Sequence, residues 1–182
     1  MIGLLEADMR SVTTLLFLAL AVPALAQAPA KQERDGIVNY TKVDAVVACG
    51  GATETKALDG LKADGFKAVI NLRTSGEQGA NLEQNAARAK ELGIKYISIP
   101  FATAQPDPKA VDQFLVEIAN KNNQPVYVHC GAASRVGAFW LVKRVLQDKW
   151  TVEKATEEAK FIGMRGEALE KFAIDYIASH KK

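Results

Sequence analysis

The residues best suited to chemistry lie together in Val128-His129-Cys130-Gly131-Ala132-Ala133-Ser134-Arg135-Val136-Gly137. Cys130 supplies a sulfur nucleophile. Arg135 supplies a planar fork able to hold two oxygens of one oxyanion. Gly131, Ala132, Ala133 and Ser134 are small, so the loop between them can curl with its N–H groups turned inward as an anion nest. A helix starting near Arg135 adds its positive N-terminal end, and the same field stabilises a thiolate at Cys130. Together these features suit attack by sulfur on an oxyanionic centre. The competing reading is a buried structural cysteine at a tight strand-to-helix turn, with Arg135 on the surface. His129 reads as an end-of-strand side chain that shapes the loop by hydrogen bonding, and not as a base.

That chemistry requires a strand ending at Cys130 and a helix beginning at Arg135, and the surrounding pattern predicts both. Val43 to Ala48, Phe66 to Leu72, Ile94 to Ile99 and Pro125 to His129 are β-branched, apolar runs expected as strands. Helices are expected from a Thr53 cap to Asp64, over the stripe Leu82, Ala86, Ala89 and Leu92, and after Asp107-Pro108 with Val111, Phe114, Leu115 and Ile118 as core. Arg135 to Gln147 is apolar on most sides, hence a buried helix. Thr151 caps the next, and Leu169, Phe172, Ala173, Tyr176 and Ile177 stripe the last. Alternating strands and helices give an α/β fold: a single domain with a mostly parallel central sheet of about four strands and helices on both faces. Ligands in such sheets bind beyond the carboxyl ends of the strands, where Cys130, Cys49 and the Arg73 loop fall.

The 182 residues bound one domain, and the net charge of +2 gives no case for nucleic acid or acidic membranes. Ser11 to Ala24 is an apolar stretch too short for a comfortable membrane span, followed by Ala24-Leu25-Ala26. That layout is expected for a cleaved signal peptide over 1–26, with Met9 the better start, leaving no stable membrane anchor and a periplasmic or secreted product. Residues 27–42 are expected to be a polar linker leading in, and 43–182 the domain. Two cysteines in an oxidising compartment raise the question of a disulfide; Cys49 is either inert core or a reversible partner for Cys130. Arg73 and Glu77 form either a structural ion pair supporting the loop or a solvated pair.

The chain also resembles the cysteine-dependent protein tyrosine and dual-specificity phosphatases. His129-Cys130 with Arg135 is similar to their signature. Gly65-Phe66-Lys67-Ala68-Val69-Ile70-Asn71-Leu72-Arg73 with Glu77, Gly93-Ile94-Lys95-Tyr96 with Ile99-Pro100, and Pro125 to Cys130 resemble their successive strands. The resemblance runs from Val43 to Ile177 and is nearest a bacterial, partly secreted branch. It implies a phosphatase-like fold and hydrolysis of a phosphoester, a tyrosine or aryl phosphate, through a phosphocysteine. Cys130 and Arg135 would be catalytic and Gly131 to Ser134 would bind phosphate. A phosphorylated protein or small phosphoester would be the partner, with neither metal nor cofactor. The sequence departs from the main family in placing four residues, not five, between Cys130 and Arg135, and Val136 where a hydroxyl residue usually follows the arginine. The shorter gap is also that of rhodanese-type sulfurtransferases, so a Cys130 persulfide carrier is an alternative. A non-catalytic anion-binding module is another. The family's general acid is an Asp upstream of the cysteine; between Pro100 and Cys130 the carboxylates are Asp107, Asp112 and Glu117, of which Asp112 and Glu117 fall on a helix and Asp107, before Pro108, reads primarily as a helix cap.

Overall fold

Four apolar runs become the parallel heart of the sheet, as their β-branched composition predicts. The computed structural model describes residues 28–181; the apolar segment Ser11 to Ala24 and the expected cleavage site lie outside them. The elements are β1 (Ala30–Lys31), β2 (Thr41–Lys42), β3 (Val47–Gly50), α1 (Ala57–Ala63), β4 (Ala68–Asn71), α2 (Leu82–Glu91), β5 (Lys95–Ser98), α3 (Pro108–Ala119), β6 (Val126–His129), α4 (Ser134–Leu146), α5 (Val152–Ile162) and α6 (Glu167–His180), with one 3-10 turn, Lys121–Asn123. The sheet order is β1-β2-β3-β6-β4-β5. β3, β6, β4 and β5 are mutually parallel, and β1 and β2 join antiparallel at the β3 edge. The sheet therefore has six strands where the sequence suggests about four. The two extra strands are two residues long and lie in the segment expected as a linker. Strands that short carry no readable alternation.

Alternation along the strands sorts the core into two layers. Val126 and Val128 face one side with Val47, Cys49, Ile70 and Leu72, where α3, α4, α5 and α6 pack. Tyr127 faces the other with Ala48 and Val69, beneath α1 and α2. α4 is buried almost all round, including Val136, Phe139, Trp140 and Leu141, because α5 and α6 cover the faces the sheet leaves free. Gly137 permits the closest of these approaches: a Cβ there would fall 2.6 Å from the Ala159 carbonyl oxygen. Each fully buried Leu, Ile or Phe contributes ~1.5–3 kcal/mol, so this layer is a rigid base for whatever its helix N-terminus holds. The register places Gly50 and Asn71 beside His129, and Ser98 beside Asn71. The loops after β3, β4, β5 and β6 therefore emerge on one rim.

Candidate functional site

On that rim the chain leaves β6 at His129, turns through Cys130 to Ala133 and enters α4 at Ser134. Cys130 is buried, and its N–H donates to the Gly50 carbonyl at 3.3 Å. Ala133 has φ +66°, the left-handed conformation that closes a nest of successive amides. The Gly131 carbonyl accepts from the Ala52 N–H at 2.8 Å, and the Ala132 carbonyl accepts from Asn39 Nδ2 at 3.4 Å. In a trans peptide the N–H points opposite to the C=O. Pinning these two carbonyls outward therefore turns the Ala132 and Ala133 amides into the concave side of the loop. Among the described residues, no amide from Gly131 to Val136 donates to a protein acceptor. At a helix N-terminus such unpaired donors form a binding site for an anion.

Arg135 is fixed against this loop, not swung away from it. Its Nη1 donates to Glu77 Oε1 at 2.6 Å and its Nη2 to Glu77 Oε2 at 2.7 Å. Nη1 also reaches the carbonyls of Leu72 at 3.1 Å and Phe101 at 2.9 Å. These contacts occupy the far end of the guanidinium. Nε and the remaining Nη2 hydrogen meet no oxygen acceptor among the described residues, while the Cys130 sulfur lies close enough to the guanidinium to interact with it. They form the lateral edge of the fork, two parallel donors spaced for two oxygens of one oxyanion. Nη2 lies 3.4 Å from where a Gly131 Cβ would sit, which places that edge beside the loop. Burial disfavours the guanidinium charge, but the Glu77 hydrogen bonds and the nearby Cys130 sulfur outweigh it and hold Arg135 charged.

Glu77 is the residue that the sequence pattern undervalues. Arg73 pairs with it at 3.2 Å and also donates to the carbonyls of Gln78 and Gly79. The Arg73–Glu77 pair is thus structural, and it extends to Arg135 across the rim. Burial alone would raise the Glu77 carboxyl, yet the bonds from Arg135 and the Thr74 N–H hold it down at about 2. It remains ionised and has no proton to give.

The three carboxylates considered as proton donors are all committed elsewhere. Asp107 caps α3 by accepting from the Lys109 N–H at 2.9 Å. Asp112 accepts from the Tyr176 hydroxyl, and Glu117 pairs with Lys95 at 3.0 Å. The Ser134 hydroxyl donates to the Arg165 carbonyl and accepts from its N–H, each at 2.9 Å.

Cys49 and Cys130 are both free thiols. Cys49 sits beside Val128 in the register, one alternation short of Cys130. Burial, then the carboxylates of Glu158 and Asp44, push its thiol far up and keep it protonated. His129 is buried, and neither ring nitrogen has a hydrogen-bond partner among the described residues. The ring stands against the loop, near the Gly51 and Cys130 backbones, which favour a ring proton there, but without a hydrogen bond of full geometry. Burial first, then the Arg73 charge, pushes its pKa down to about 3, so it is neutral. Among the described residues, no group of three His, Cys, Asp or Glu side chains converges as a metal site.

Comparison with known proteins matches residues 19–174 to the family described as DSP-PTPase phosphatase fused to NAD+ kinase. No curated protein sequence matches. Among solved structures, a DUF442 protein from Shewanella putrefaciens shares 19% identity at a TM-score of 0.67, covering 81% of this chain and 94% of that one. TpbA from P. aeruginosa shares 20% at 0.63, covering 87% and 92%; a cysteine-to-serine form of it is solved in complex with phosphotyrosine. The core catalytic domain of the PP-IP phosphatase SIW14 from S. cerevisiae shares 19% at 0.63, covering 79% and 88%. At these identities the likeness is one of fold.

Proposed function

The chain belongs to the family of DSP-PTPase phosphatases fused to NAD+ kinase, and from that premise we propose that it hydrolyses aryl phosphate monoesters, phosphotyrosine among them, with Cys130 as nucleophile. The observation carrying this reading is the Arg135 fork: its far end is locked by Glu77 and its lateral edge is free beside a loop of unpaired amides. The phosphoryl group sits on the Ala132 and Ala133 amides and that lateral edge. The Cys130 thiolate attacks phosphorus, the S–P bond forms, and the P–O bond to the aryl group breaks. The leaving phenolate takes its proton from water. Water then attacks phosphorus, the S–P bond breaks, inorganic phosphate leaves and the thiolate is restored. Charge stabilisation by fixed donors is the main catalytic resource of such a site.

The commitment of Asp107, Asp112, Glu117 and Glu77 supports the choice of aryl over alkyl esters. General acid catalysis is worth about 10²–10⁴-fold, and a phenolate departs without it far more readily than an alkoxide. The complex of TpbA with phosphotyrosine agrees with that choice. The apolar segment before Gln27 supports export, so the working compartment is the periplasm or beyond.

Turnover of p-nitrophenyl phosphate by the purified protein tests the reading. Cys130→Ser is expected to abolish it and Arg135→Ala to reduce it at least a hundredfold, since the lateral edge supplies two donors to the transition state. Rapid quenching should trap one phosphoryl group on Cys130. Turnover that survives Cys130→Ser would overturn the proposal.

A further inference from the structure

Residues 30–42, most of the segment 27–42 whose composition reads as a linker leading into the domain, form a strap along the rim of the site. Val38 donates to the Ala52 carbonyl at 2.9 Å, and its own carbonyl accepts from Gly51 at 2.7 Å. Ile37 bridges to Thr53. These backbone bonds hold the strap whatever side chain follows at residue 39.

Asn39 is in the left-handed conformation, φ +54°, which aims its side chain across the rim. Nδ2 donates to the Ile162 carbonyl at 3.0 Å and to the Ala132 carbonyl at 3.4 Å. Oδ1 accepts from Lys31 Nζ, which also donates to the Ile162 carbonyl at 2.8 Å. With an ammonium on one side and two carbonyls on the other, only this orientation of the amide satisfies every group. Gly163 makes room for it: a Cβ there would lie 2.7 Å from Asn39 Nδ2 and 3.3 Å from the Ala132 oxygen.

The geometry points to Asn39 as a positioning residue, held by Lys31, that turns the Ala132–Ala133 peptide so that the Ala133 N–H faces the bound phosphoryl group. This rests on the phosphatase reading above. Ala52 performs the same service for the preceding peptide with a backbone N–H. Only the Ala133 donor therefore depends on a side chain. The two donors are separable: loss of Asn39 affects Ala133 and leaves Ala132 in place.

The test uses tungstate, a tetrahedral oxyanion that binds without turning over. Its affinity, the backbone amide NMR shifts it induces, p-nitrophenyl phosphate turnover and unfolding temperature are measured for wild type, Asn39→Gly, Asn39→Asp and Lys31→Met. Glycine suits the left-handed backbone and removes only the side chain. Aspartate keeps the shape and the Lys31 contact but turns an acceptor toward two carbonyls. Asn39→Gly is expected to weaken tungstate and lower kcat about tenfold, a fraction of the 10²–10³ lost when an oxyanion donor is deleted outright. The tungstate-induced shift of the Ala133 amide should shrink while that of Ala132 persists. Asn39→Asp should lose at least as much, and Lys31→Met less. Wild-type affinity, turnover and Ala133 shift in both Asn39 variants would overturn the inference alone. A wild-type protein that binds no tungstate would overturn the phosphatase reading and this inference with it.

Discussion

Glu77→Gln removes one charge and almost no volume, and it isolates what fixes Arg135. The glutamine keeps one acceptor oxygen, so it retains one of the bonds to Arg135, now to a neutral acceptor, and loses the other; with its NH₂ in the Oε2 position, the 3.2 Å bond to Arg73 goes as well. One of its end atoms becomes an NH₂ that can only confront a guanidinium donor. Breaking a buried ion pair by neutralising one partner costs ~3–5 kcal/mol. The Glu77 side chain is 28% exposed, so solvent screening brings the expected loss to ~1.5–3 kcal/mol. For a domain of this size that lowers Tm by roughly 4–10 °C. Activity should fall further than stability alone explains, because the freed guanidinium no longer presents its lateral edge. A drop in kcat/KM of about 10–100-fold, or ~1.4–2.7 kcal/mol, is expected with p-nitrophenyl phosphate at temperatures where the variant is fully folded. A double-mutant cycle completes the argument: in an Arg135→Ala background, Glu77→Gln should cost almost no further activity, since both changes remove one device. An unaltered kcat/KM in the single variant, or full additivity in the cycle, would refute the reasoning.

Four other outcomes are expected. Stability should decline on acidification from about pH 6.5 toward pH 3: His129 has its folded pKa lowered to about 3, so the unfolded chain takes up the proton first and stability is lost as pH falls. At pH 5 the loss is ~2 kcal/mol relative to neutral pH; denaturant titrations should show it, and His129→Phe should flatten it. Glu77, lowered to about 2, adds a second loss between roughly pH 4.5 and 2, because its contribution is present only above its unfolded pKa; Glu77→Gln should lack this component. Asp107→Ala should cost ~1 kcal/mol as a lost helix cap, yet leave kcat on p-nitrophenyl phosphate within about twofold; a collapse in kcat would instead make Asp107 the proton donor. Iodoacetate should label Cys130 at the strand end and spare Cys49, whose thiol is held protonated, and inorganic phosphate should protect Cys130; peptide mapping reads both.

The α/β architecture was legible because β4 and β6, with four buried residues each, carry continuous apolar composition, and because α3 and α5 carry local caps. The Asp107 and Thr151 caps form as their spacing implies. Thr53 does not cap α1: its hydroxyl is taken by Tyr127 and the Gly51 carbonyl, and the helix begins only at Ala57. A tertiary contact 74 residues away won over a local one. The same reason hid the partners of the site. Cys130, Arg135 and the small loop between them are contiguous, so their chemistry could be read directly. Arg73 and Glu77 are four residues apart and visible as a pair, but the bond to Arg135 spans 58 residues and the Asn39 bond to the loop spans 93. Nothing in a local pattern encodes either. The β1 and β2 strands leave no pattern in the sequence because two residues show no alternation, and their place is set by the pairing of β1 with β2 and of β2 with β3.

The most direct test of the whole account is a crystal structure of the protein with tungstate bound. The expected result is an anion within hydrogen-bond distance of the Ala132 and Ala133 amides and of Arg135 Nε and Nη2, facing the Cys130 sulfur, with Glu77 still on the far end of the guanidinium. An anion seated elsewhere, or a loop whose amides turn away from it, would contradict the account.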